Sequence, residues 1–283
     1  SFKEPGTIGT AIEAVLKNNI KEKIEVIVAA PDKETAAVVK KYKKVQYFKD
    51  PGKGKSFALN LLFKKVKGNI LILTDGDVFV NTSLQKIVDA FKDPKVGCVS
   101  GRPVALNKKS SMFGYFSHLL LDAGAHSIRS DLNKQNKFLE CSGYLFAFRN
   151  TIKAIPTDVA EDAHIPFMFW KQGFKVRYVP EVKVFVKYPN NLKDFIKQRI
   201  RTAKSHQKLK KYNKDFPHVK GFWNELRLGT FRALAYPSTC KEFLWTLCLF
   251  PLRLYIWLAV FLQTKVFKNQ YTDAWERVES TKN

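Results

Sequence analysis

Short apolar runs and longer amphipathic stretches alternate along the N-terminal third of the chain. The apolar runs predict buried strands over residues 24–30, 45–48, 69–74 and 96–100. The stretches beside them have apolar residues at helical spacing and predict helices over 8–16, 32–42, 57–66 and 84–91. This alternation is typical of an α/β fold with a mostly parallel sheet covered by helices on both faces. Such sheets bind ligands beyond the carboxyl ends of their strands.

The pattern becomes less regular over residues 104–155, where a strand or short hairpin is predicted at 140–149. A helix over 161–173, a strand over 176–186 and a helix over 191–211 follow. We expect the α/β domain to occupy residues 1–215. Because the chain begins within a helical pattern, we also expect that the first strand of this domain is missing from it.

A strongly apolar segment lies at residues 243–262, where 17 of 20 residues are apolar. About 20 such residues suffice to cross a bilayer. Pro251 and Arg253 interrupt the segment, and a charge near mid-span costs roughly 2.5–3.5 kcal/mol on insertion scales. A tilted span, a re-entrant hairpin bent at Pro251, an interfacial helix and a buried helix of a soluble domain all remain open. We expect residues 216–283 to form a membrane-interface or transmembrane region.

The chain has 283 residues, with 49 Lys and Arg against 25 Asp and Glu, and its net charge is +24. Residues 183–214 contain eleven of these cations and one acid, Asp194. Such an excess favours an anionic partner, which can be nucleic acid, an acidic membrane surface or a phosphorylated ligand. The four cysteines show no CxxC spacing. Their spacing argues against a disulfide framework or structural zinc site and fits a cytosolic location.

Two carboxylates follow the predicted strand at 69–74. Asp75 and Asp77 are separated only by Gly76, which lets the backbone approach a ligand closely. Mg²⁺ is usually held by one or two carboxylates together with substrate phosphates. The pair is therefore a candidate metal site, although a turn that merely uses Asp and Gly would look the same.

A loop rich in glycine and lysine precedes the helix predicted at 57–66. Its sequence is Asp50-Pro51-Gly52-Lys53-Gly54-Lys55-Ser56. A loop of this kind suits a phosphate, which backbone N–H groups and the helix N-terminus can bind. Its glycine spacing is not that of a Walker A loop. A solvated basic turn capped by Ser56 is the alternative.

Two further polar groups lie on predicted helices. Glu161 and Asp162 begin the helix at 161–173, where one of them could act as a general base. Their alternative role is favourable charge at the N-terminus of a helix dipole. Gln198, Arg201 and Thr202 share one face of the helix at 191–211, largely apart from its apolar face. A solvated cationic surface would explain that face equally well.

Taken together, these four groups resemble the motifs of family 2 glycosyltransferases, and in particular of the membrane-bound cellulose, hyaluronan and poly-N-acetylglucosamine synthases. The matching segments are Gly54-Lys55-Ser56-Phe57-Ala58-Leu59-Asn60, the DxD motif Asp75-Gly76-Asp77, Ser142-Gly143, Glu161-Asp162 and Gln198-Arg199-Ile200-Arg201-Thr202. The resemblance covers about residues 1–270. It implies a GT-A fold, which is Rossmann-like with a mixed, mostly parallel sheet and helices on both faces.

The resemblance also implies a donor site for a nucleotide sugar. Asp32 and Asp50 would contact the uridine of a UDP-sugar, with Lys55 nearby. Asp75 would hold the ribose or the water shell of the metal. Asp77 would ligate Mg²⁺ or Mn²⁺, which neutralises the charge of the departing diphosphate.

On the acceptor side, the resemblance implies that Asp162 deprotonates the attacking hydroxyl, with Glu161 as the second choice. Residues that would bind the acceptor or the departing diphosphate are Ser142, Gly143, Gln198, Arg199 and Arg201. Thr202 stands where the family has a tryptophan that stacks on the acceptor sugar. This difference, together with a single plausible span, favours transfer of one sugar, or a polymerase that needs partner subunits.

We therefore expect an inverting glycosyltransferase that acts on a membrane-associated glycan or lipid-linked acceptor in cell-envelope polysaccharide or glycolipid synthesis. Its catalytic domain would be cytoplasmic, with the basic stretch against an anionic membrane surface. The alternatives are a polyprenyl-phosphate sugar synthase and an inactive, truncated chain. A basic nucleic-acid-binding module is disfavoured, because no helix-turn-helix, zinc-finger, RNP or KH pattern occurs.

Overall fold

The structure is a computed structural model that describes residues 1–207, 209–212, 214–217, 221–266 and 278–281. The strands are β1 (Val26–Ala30), β2 (Val45–Lys49), β3 (Ile70–Thr74), β4 (Phe79–Val80), β5 (Val96–Ala105), β6 (Leu145–Arg149) and β7 (Lys175–Val186). The α-helices are α1 (Ile8–Leu16), α2 (Lys33–Val39), α3 (Lys55–Leu62), α4 (Gln85–Ala90), α5 (Met112–Leu119), α6 (Ser127–Lys134), α7 (Glu161–Lys171), α8 (Leu192–Gln207), α9 (Leu209–Tyr212), α10 (Phe222–Asn224), α11 (Thr230–Ala235) and α12 (Cys240–Phe261). The π-helical turns are Leu120–His126, Glu225–Gly229 and Leu262–Val266, and a 3₁₀ turn covers Glu279–Thr281.

Within the described residues, the strands form a five-stranded sheet in the order β3-β6-β5-β7-β4 and a two-stranded sheet of β1 and β2. The β1–β2 and β5–β7 pairs are parallel, whereas β6 is antiparallel to β3 and β5, and β4 is antiparallel to β7. The expected mixed sheet is present, but its parallel share is smaller than predicted. The chain between β5 and β6 leaves and re-enters the sheet at the same end, so β6 must run opposite to β5.

The irregular stretch 104–155 contains α5, a π-helical turn and α6, none of which the hydrophobic pattern predicted. The strand predicted at 140–149 begins only at Leu145, and an isolated bridge between Ser142 and Leu145 precedes it. The helix predicted at 191–211 is described as α8 and α9, with residue 208 outside the described part. These differences lie where hydrophobic spacing is a weak guide to the period of the backbone.

The larger sheet is buried on both faces. Along β6, Phe146 and Phe148 point into one apolar core, and Leu145 and Ala147 point into the other. This alternation follows from the two-residue period of a strand. It explains why the sequence of β6 is almost continuously apolar. The sheet therefore gives a fixed base for the loops at its carboxyl ends.

A third apolar core joins α5, α8 and α12. Phe195 of α8 and Phe116 of α5 pack there with Leu249 and Ile256 of α12. The residues from Cys240 to Val266 form one helix of 27 residues with mean hydropathy 1.8, long and apolar enough to cross a bilayer, and 22% of its most apolar window is buried. The apolar segment predicted at 243–262 falls within this helix.

Candidate active site

Three of the predicted motifs meet at the side chain of Lys55. Its Nζ lies 2.7 Å from Oδ1 of Asp75 and 2.7 Å from Oε1 of Glu161. Gly54 has φ of +104°, a backbone conformation that favours glycine, and it turns the chain into α3 so that Lys55 is the first helical residue. The hydroxyl of Ser56 donates to the carbonyl of Val159 and ties the start of α3 to the loop before α7.

The opposite charges around Lys55 stabilise one another. Burial alone would lower the pKa of the Lys55 ammonium, but the carboxylates of Asp75 and Glu161 outweigh burial and hold that pKa well above its usual value. Burial raises the pKa of the Glu161 carboxyl, against the lowering effect of Lys55. Lys55 is therefore a permanent cation between two acidic motifs.

Asp162 is held by the loop that precedes β6. The backbone N–H of Gly143 donates to Oδ2 of Asp162 at 3.1 Å, and the N–H of Cys141 donates to the Asp162 carbonyl at 3.0 Å. The N–H of Ser142 donates to Oγ of Ser100 on β5. The structure thus brings Ser142-Gly143 and Asp162 together, as the resemblance implied.

An open cleft lies beside the DxD motif. Its lining residues are Ser1, Phe2, Glu4, Asp75, Gly76, Asp77, Val78, Tyr144, Lys187, Gln198, Arg201, Val278 and Thr281. A Cβ at Gly76 would lie 2.5 Å from the Glu4 carboxylate and 2.5 Å from the Ser1 hydroxyl, so a larger residue there would displace these side chains. The cleft combines two carboxylates with two cations, Lys187 and Arg201, which suits a metal–diphosphate group.

The acidic wall of this cleft fits a hard divalent cation. Asp75 and Asp77 offer carboxylate oxygens on both sides of Gly76. In the part of the chain that the structure describes, no group of three or more His, Cys, Asp or Glu side chains could hold a metal by itself. A cation here would take its other ligands from water and from substrate phosphates, as Mg²⁺ commonly does.

Asp32 and Asp50 lie at the carboxyl ends of β1 and β2, where the sequence placed them. The two oxygens of Asp32 accept hydrogen bonds from the N–H groups of Thr35 and Lys3, at 2.9 and 2.7 Å, so Asp32 caps α2. Asp50 is buried and accepts from the N–H of Gly52 at 3.0 Å. Neither residue lines the cleft beside the DxD motif.

The predicted acceptor residues on α8 have different positions. Gln198 and Arg201 line the cleft, and Gln198 is only 8% exposed, so this face is not simply a solvated surface. Arg199 instead donates to Oε1 of Gln198 at 2.9 Å and lies over the ring of Tyr188. The hydroxyl of Thr202 donates to the Gln198 carbonyl at 3.0 Å.

Tyr144 and Lys187 are among the cleft residues that were not predicted. Tyr144 directly follows Ser142-Gly143, and burial raises the pKa of its hydroxyl well above the usual value. Lys187 is the first residue after β7 and was seen only as part of the basic stretch. Lys187 could have been predicted from its position at the carboxyl end of a strand, where such sheets bind ligands.

The family model described as "Glycosyltransferase like family 2" matches residues 1–205. The chain belongs to glycosyltransferase family 2. It is 21% identical over 226 residues to an N-acetylglucosaminyltransferase of Bradyrhizobium diazoefficiens, which covers 72% of this chain and 46% of that protein. It is 23% identical over 239 residues to the poly-beta-1,6-N-acetyl-D-glucosamine synthase of Staphylococcus epidermidis, which covers 80% and 56% respectively. The chain spans about half the length of these curated relatives.

Among solved structures, the family 2 chain is similar to the mannosyltransferase PcManGT from Pyrobaculum calidifontis, which was solved in complex with GDP-Man and Mn²⁺. The TM-score is 0.69 at 19% identity, over 95% of this chain and 86% of the other. The predicted GT-A fold is confirmed by this match. The protein is thus a glycosyltransferase related to N-acetylglucosamine transferases and poly-N-acetylglucosamine synthases.

Proposed function

We propose that this glycosyltransferase transfers one sugar, with inversion, from a nucleotide diphosphate sugar to a glycan or lipid-linked acceptor at a membrane surface. The observation that carries the proposal is the double ion pair of Lys55. It ties Asp75 of the DxD motif to Glu161, so that the neighbouring Asp162 and the cleft belong to one site. A donor across the strand ends would then have its reacting carbon between these acids.

On the donor side, we assign Asp77 to a Mg²⁺ or Mn²⁺ ion and Asp75 to the ribose or the water shell of that ion. The ion would neutralise charge on the departing diphosphate. Lys187 and Arg201 line the same cleft, and their side chains would donate to the diphosphate oxygens. Asp32 and Asp50, at the neighbouring strand ends, would take the uridine of a UDP-sugar.

On the acceptor side, we assign the general base to Asp162. Glu161 is engaged by Lys55, whereas Asp162 keeps Oδ1 for the acceptor while its Oδ2 accepts from Gly143. Asp162 takes the proton of the attacking hydroxyl while the oxygen of that hydroxyl bonds to the anomeric carbon. The bond from that carbon to the diphosphate breaks on the opposite face, so the configuration inverts.

We propose residues 1–215 as the catalytic domain, facing the cytoplasm, and residues 216–283 as a membrane-associated region. The relatives named N-acetylglucosaminyltransferase and poly-beta-1,6-N-acetyl-D-glucosamine synthase support N-acetylglucosamine as the transferred sugar and a glycan as the acceptor. Thr202 offers no ring face for stacking, which supports a single transfer or a polymerase with partner subunits. Gln198, Arg199 and the Ser142-Gly143 turn would shape the acceptor side.

The test is turnover of UDP- and GDP-sugars by the whole chain with Mg²⁺ or Mn²⁺. Asp77→Asn and Asp162→Asn should each lower turnover about 10²-fold or more while circular dichroism stays unchanged. Asp131→Asn is the control, since this aspartate pairs with Arg232 away from the cleft. Normal turnover in Asp162→Asn would refute the assignment of the base. A product formed only with polyprenyl phosphate, and not with glycan acceptors, would favour the polyprenyl-phosphate sugar synthase.

A further inference from the structure

Most of the large apolar side chains that the structure exposes lie in one region. Of the 18 exposed large apolar residues in the described part of the chain, 14 fall between residues 223 and 266. These residues, called here the apolar face, are Trp223, Leu226, Leu228, Phe231, Leu234, Phe243, Leu244, Leu247, Leu254, Tyr255, Leu258, Phe261, Leu262 and Val266. Phe231 is 84% exposed and Trp223 is 75% exposed. A concentration of exposed apolar side chains of this kind marks a binding surface.

The helix α12 has one side on the protein and one side open. Thr246, Leu249, Ile256 and Val260 are buried against α5 and α8. Thr246 also shares a 2.6 Å hydrogen bond with the hydroxyl of Tyr115 on α5. The buried residues extend from position 246 to position 260, or about 21 Å along the helix axis. The helix α12 therefore lies along the catalytic domain over most of its length.

This packing decides between the orientations that the sequence left open. A bilayer-spanning α12 would carry its neighbour α8 into the hydrocarbon region. The cations of α8 are Lys193, Lys197, Arg199, Arg201 and Lys204. Each charge carried to mid-bilayer costs roughly 2.5–3.5 kcal/mol, so this packing disfavours a span. It is compatible with a helix that lies parallel to the membrane plane.

The charge of this region suits an anionic lipid surface. Between residues 221 and 266 of the described chain, both acids are in ion pairs, Glu225 with Arg253 and Glu242 with Lys109. Exposed cations flank the apolar face at Arg227, Lys241 and Lys265. Arg253, which interrupts the apolar segment, is neutralised by Glu225, whose carboxylate also accepts from the indole of Trp257.

We propose that the apolar face docks onto an anionic lipid bilayer from one side, with α12 parallel to the membrane plane and no segment from 221 to 266 crossing it. The proposal rests on the membrane-borne acceptor proposed above and identifies the lipid-facing surface. Apolar side chains enter the boundary between headgroups and acyl chains, and the flanking cations contact anionic headgroups.

Binding is tested with sealed phosphatidylcholine vesicles, with and without phosphatidylglycerol, in the absence of any substrate. The chain should float with the anionic vesicles and bind less at high salt. The pair Phe231→Ser and Leu258→Ser should weaken partitioning at least about tenfold. Lys241→Gln and Lys265→Gln should each weaken it about fivefold. The matched control, Ile24→Ser with Leu106→Ser, changes residues of 43% and 45% exposure elsewhere and should bind as before.

Orientation is tested by labelling with a membrane-impermeant maleimide added outside the vesicles. Cys98 and Cys141 are buried, whereas Cys240, at the start of α12, and Cys248 are exposed. The first variant, Cys248→Ser, keeps Cys240 as the exposed thiol at the start of α12. The second variant combines Cys240→Ser, Cys248→Ser and Lys265→Cys, so that its exposed thiol lies at the other end. Both ends should react without opening the vesicles. Protection of one end until detergent is added, or failure to bind anionic vesicles, overturns the proposal. Asp77→Asn should bind normally, so inactivity and failure to dock are distinguishable.

A different set of contacts concerns Arg129, a buried residue of α6 outside the cleft. Its Nε donates to the carbonyl of Glu140 at 2.8 Å, and its Nη2 donates to the carbonyl of Cys141 at 3.2 Å. The same loop gives the N–H groups that bind Asp162 from its other side. Arg129 therefore fixes the loop that holds the proposed base.

We infer that Arg129 is a positioning residue for Asp162, an inference that rests on the proposed role of Asp162. Arg129→Gln should lower kcat about tenfold or more with an unchanged donor KM, because small displacements of reacting groups are costly. Arg129→Lys should restore part of kcat.

The matched control is Arg149→Gln. Arg149 also donates to backbone carbonyls, those of Val96, Phe91 and Asp93, but at the far end of β6. The Arg149→Gln substitution should lower the melting temperature and leave kcat unchanged at temperatures below melting. Equal kcat losses in the two variants, or a loss of stability alone in Arg129→Gln, would overturn the inference. Full activity of Asp162→Asn would instead remove the proposed base.

Discussion

At the scale of single residues, the ion pairs of Lys55 show how burial changes the free energy of unfolding that is lost when one partner of an ion pair is removed. The side chains of Lys55, Asp75 and Glu161 are 22%, 25% and 10% exposed. Removing one partner of a buried ion pair leaves an uncompensated charge, which costs more than the pair itself contributes. The same N···O distance of 2.7 Å occurs between Lys92 and Asp89, where the lysine is 76% exposed.

Lys55→Met should therefore lower the free energy of unfolding by about 3 kcal/mol, since two carboxylates lose their cation. Lys92→Met should change it little, because water screens the surface pair. Urea unfolding of both variants measures the difference. Adding Glu161→Gln to Lys55→Met should recover part of the loss, and equal effects of the two lysine substitutions would contradict this account.

His164 gives a second test at this scale. It is buried beside the ring of Tyr212, and burial lowers the pKa of its imidazole below the ordinary value of 6.5. The unfolded chain then takes up the proton first as pH falls, so the stability contributed by neutral His164 is present above about pH 6.5 and is lost below it. In urea unfolding, His164→Gln should lose less stability than the wild type on acidification. An identical loss in both proteins would show that His164 contributes nothing to this dependence.

At the scale of elements, the strand and helix ends that carry the motifs were predicted better than the segments between them. The Gly-Lys loop, the DxD turn and the Glu-Asp helix start are local patterns at strand or helix ends, and the structure unites them at Lys55. Tyr144 was missed because its position depends on the antiparallel entry of β6 into the sheet. That direction cannot be predicted from a local sequence pattern. The helices α5 and α6 were missed because a π-helical turn interrupts their period. Arg199 lies over the ring of Tyr188 and donates to Gln198, and its contact with the acceptor or the diphosphate stays a prediction.

The helix α12 is joined to the turn Glu225–Gly229 by the ion pair of Glu225 and Arg253. Glu225→Gln should loosen this junction, because the neutral amide gives a weaker partner for a half-buried guanidinium. Hydrogen exchange in residues 222–235 and 240–261 should become faster, with the sheet unaffected. Glu13→Gln, which breaks the exposed pair with Lys17, serves as the control and should leave exchange in these helices unchanged. Unchanged exchange in Glu225→Gln would show that apolar packing alone holds α12.

At the scale of the whole molecule, four apolar cores and two sheets hold the described fold together. Among the described residues, no cluster of three or more potential metal ligands exists that could act as a structural site. The proposed ion instead belongs to the cleft and to the substrate.

A chelator should therefore abolish nucleotide-sugar turnover and leave the melting temperature unchanged. Turnover should return when Mn²⁺ or Mg²⁺ is added in excess. Thermal unfolding and turnover measured on the same samples check both parts. A large fall in melting temperature on chelation would reveal a structural metal, and full turnover in the chelator would remove the ion from the proposed mechanism.

The helix α8 is shared between two regions of the molecule. Its residues Phe195, Ile196 and Ile200 pack towards α12, and Gln198 and Arg201 reach the cleft. A helix with its side chains is roughly 10 Å thick. If α12 lies on the lipid surface, the reacting groups would lie roughly one helix thickness from the headgroups. A lipid-linked acceptor could then receive its sugar while its anchor stays in the bilayer, and the distance from the anchor to the reactive hydroxyl would limit which acceptor lengths react.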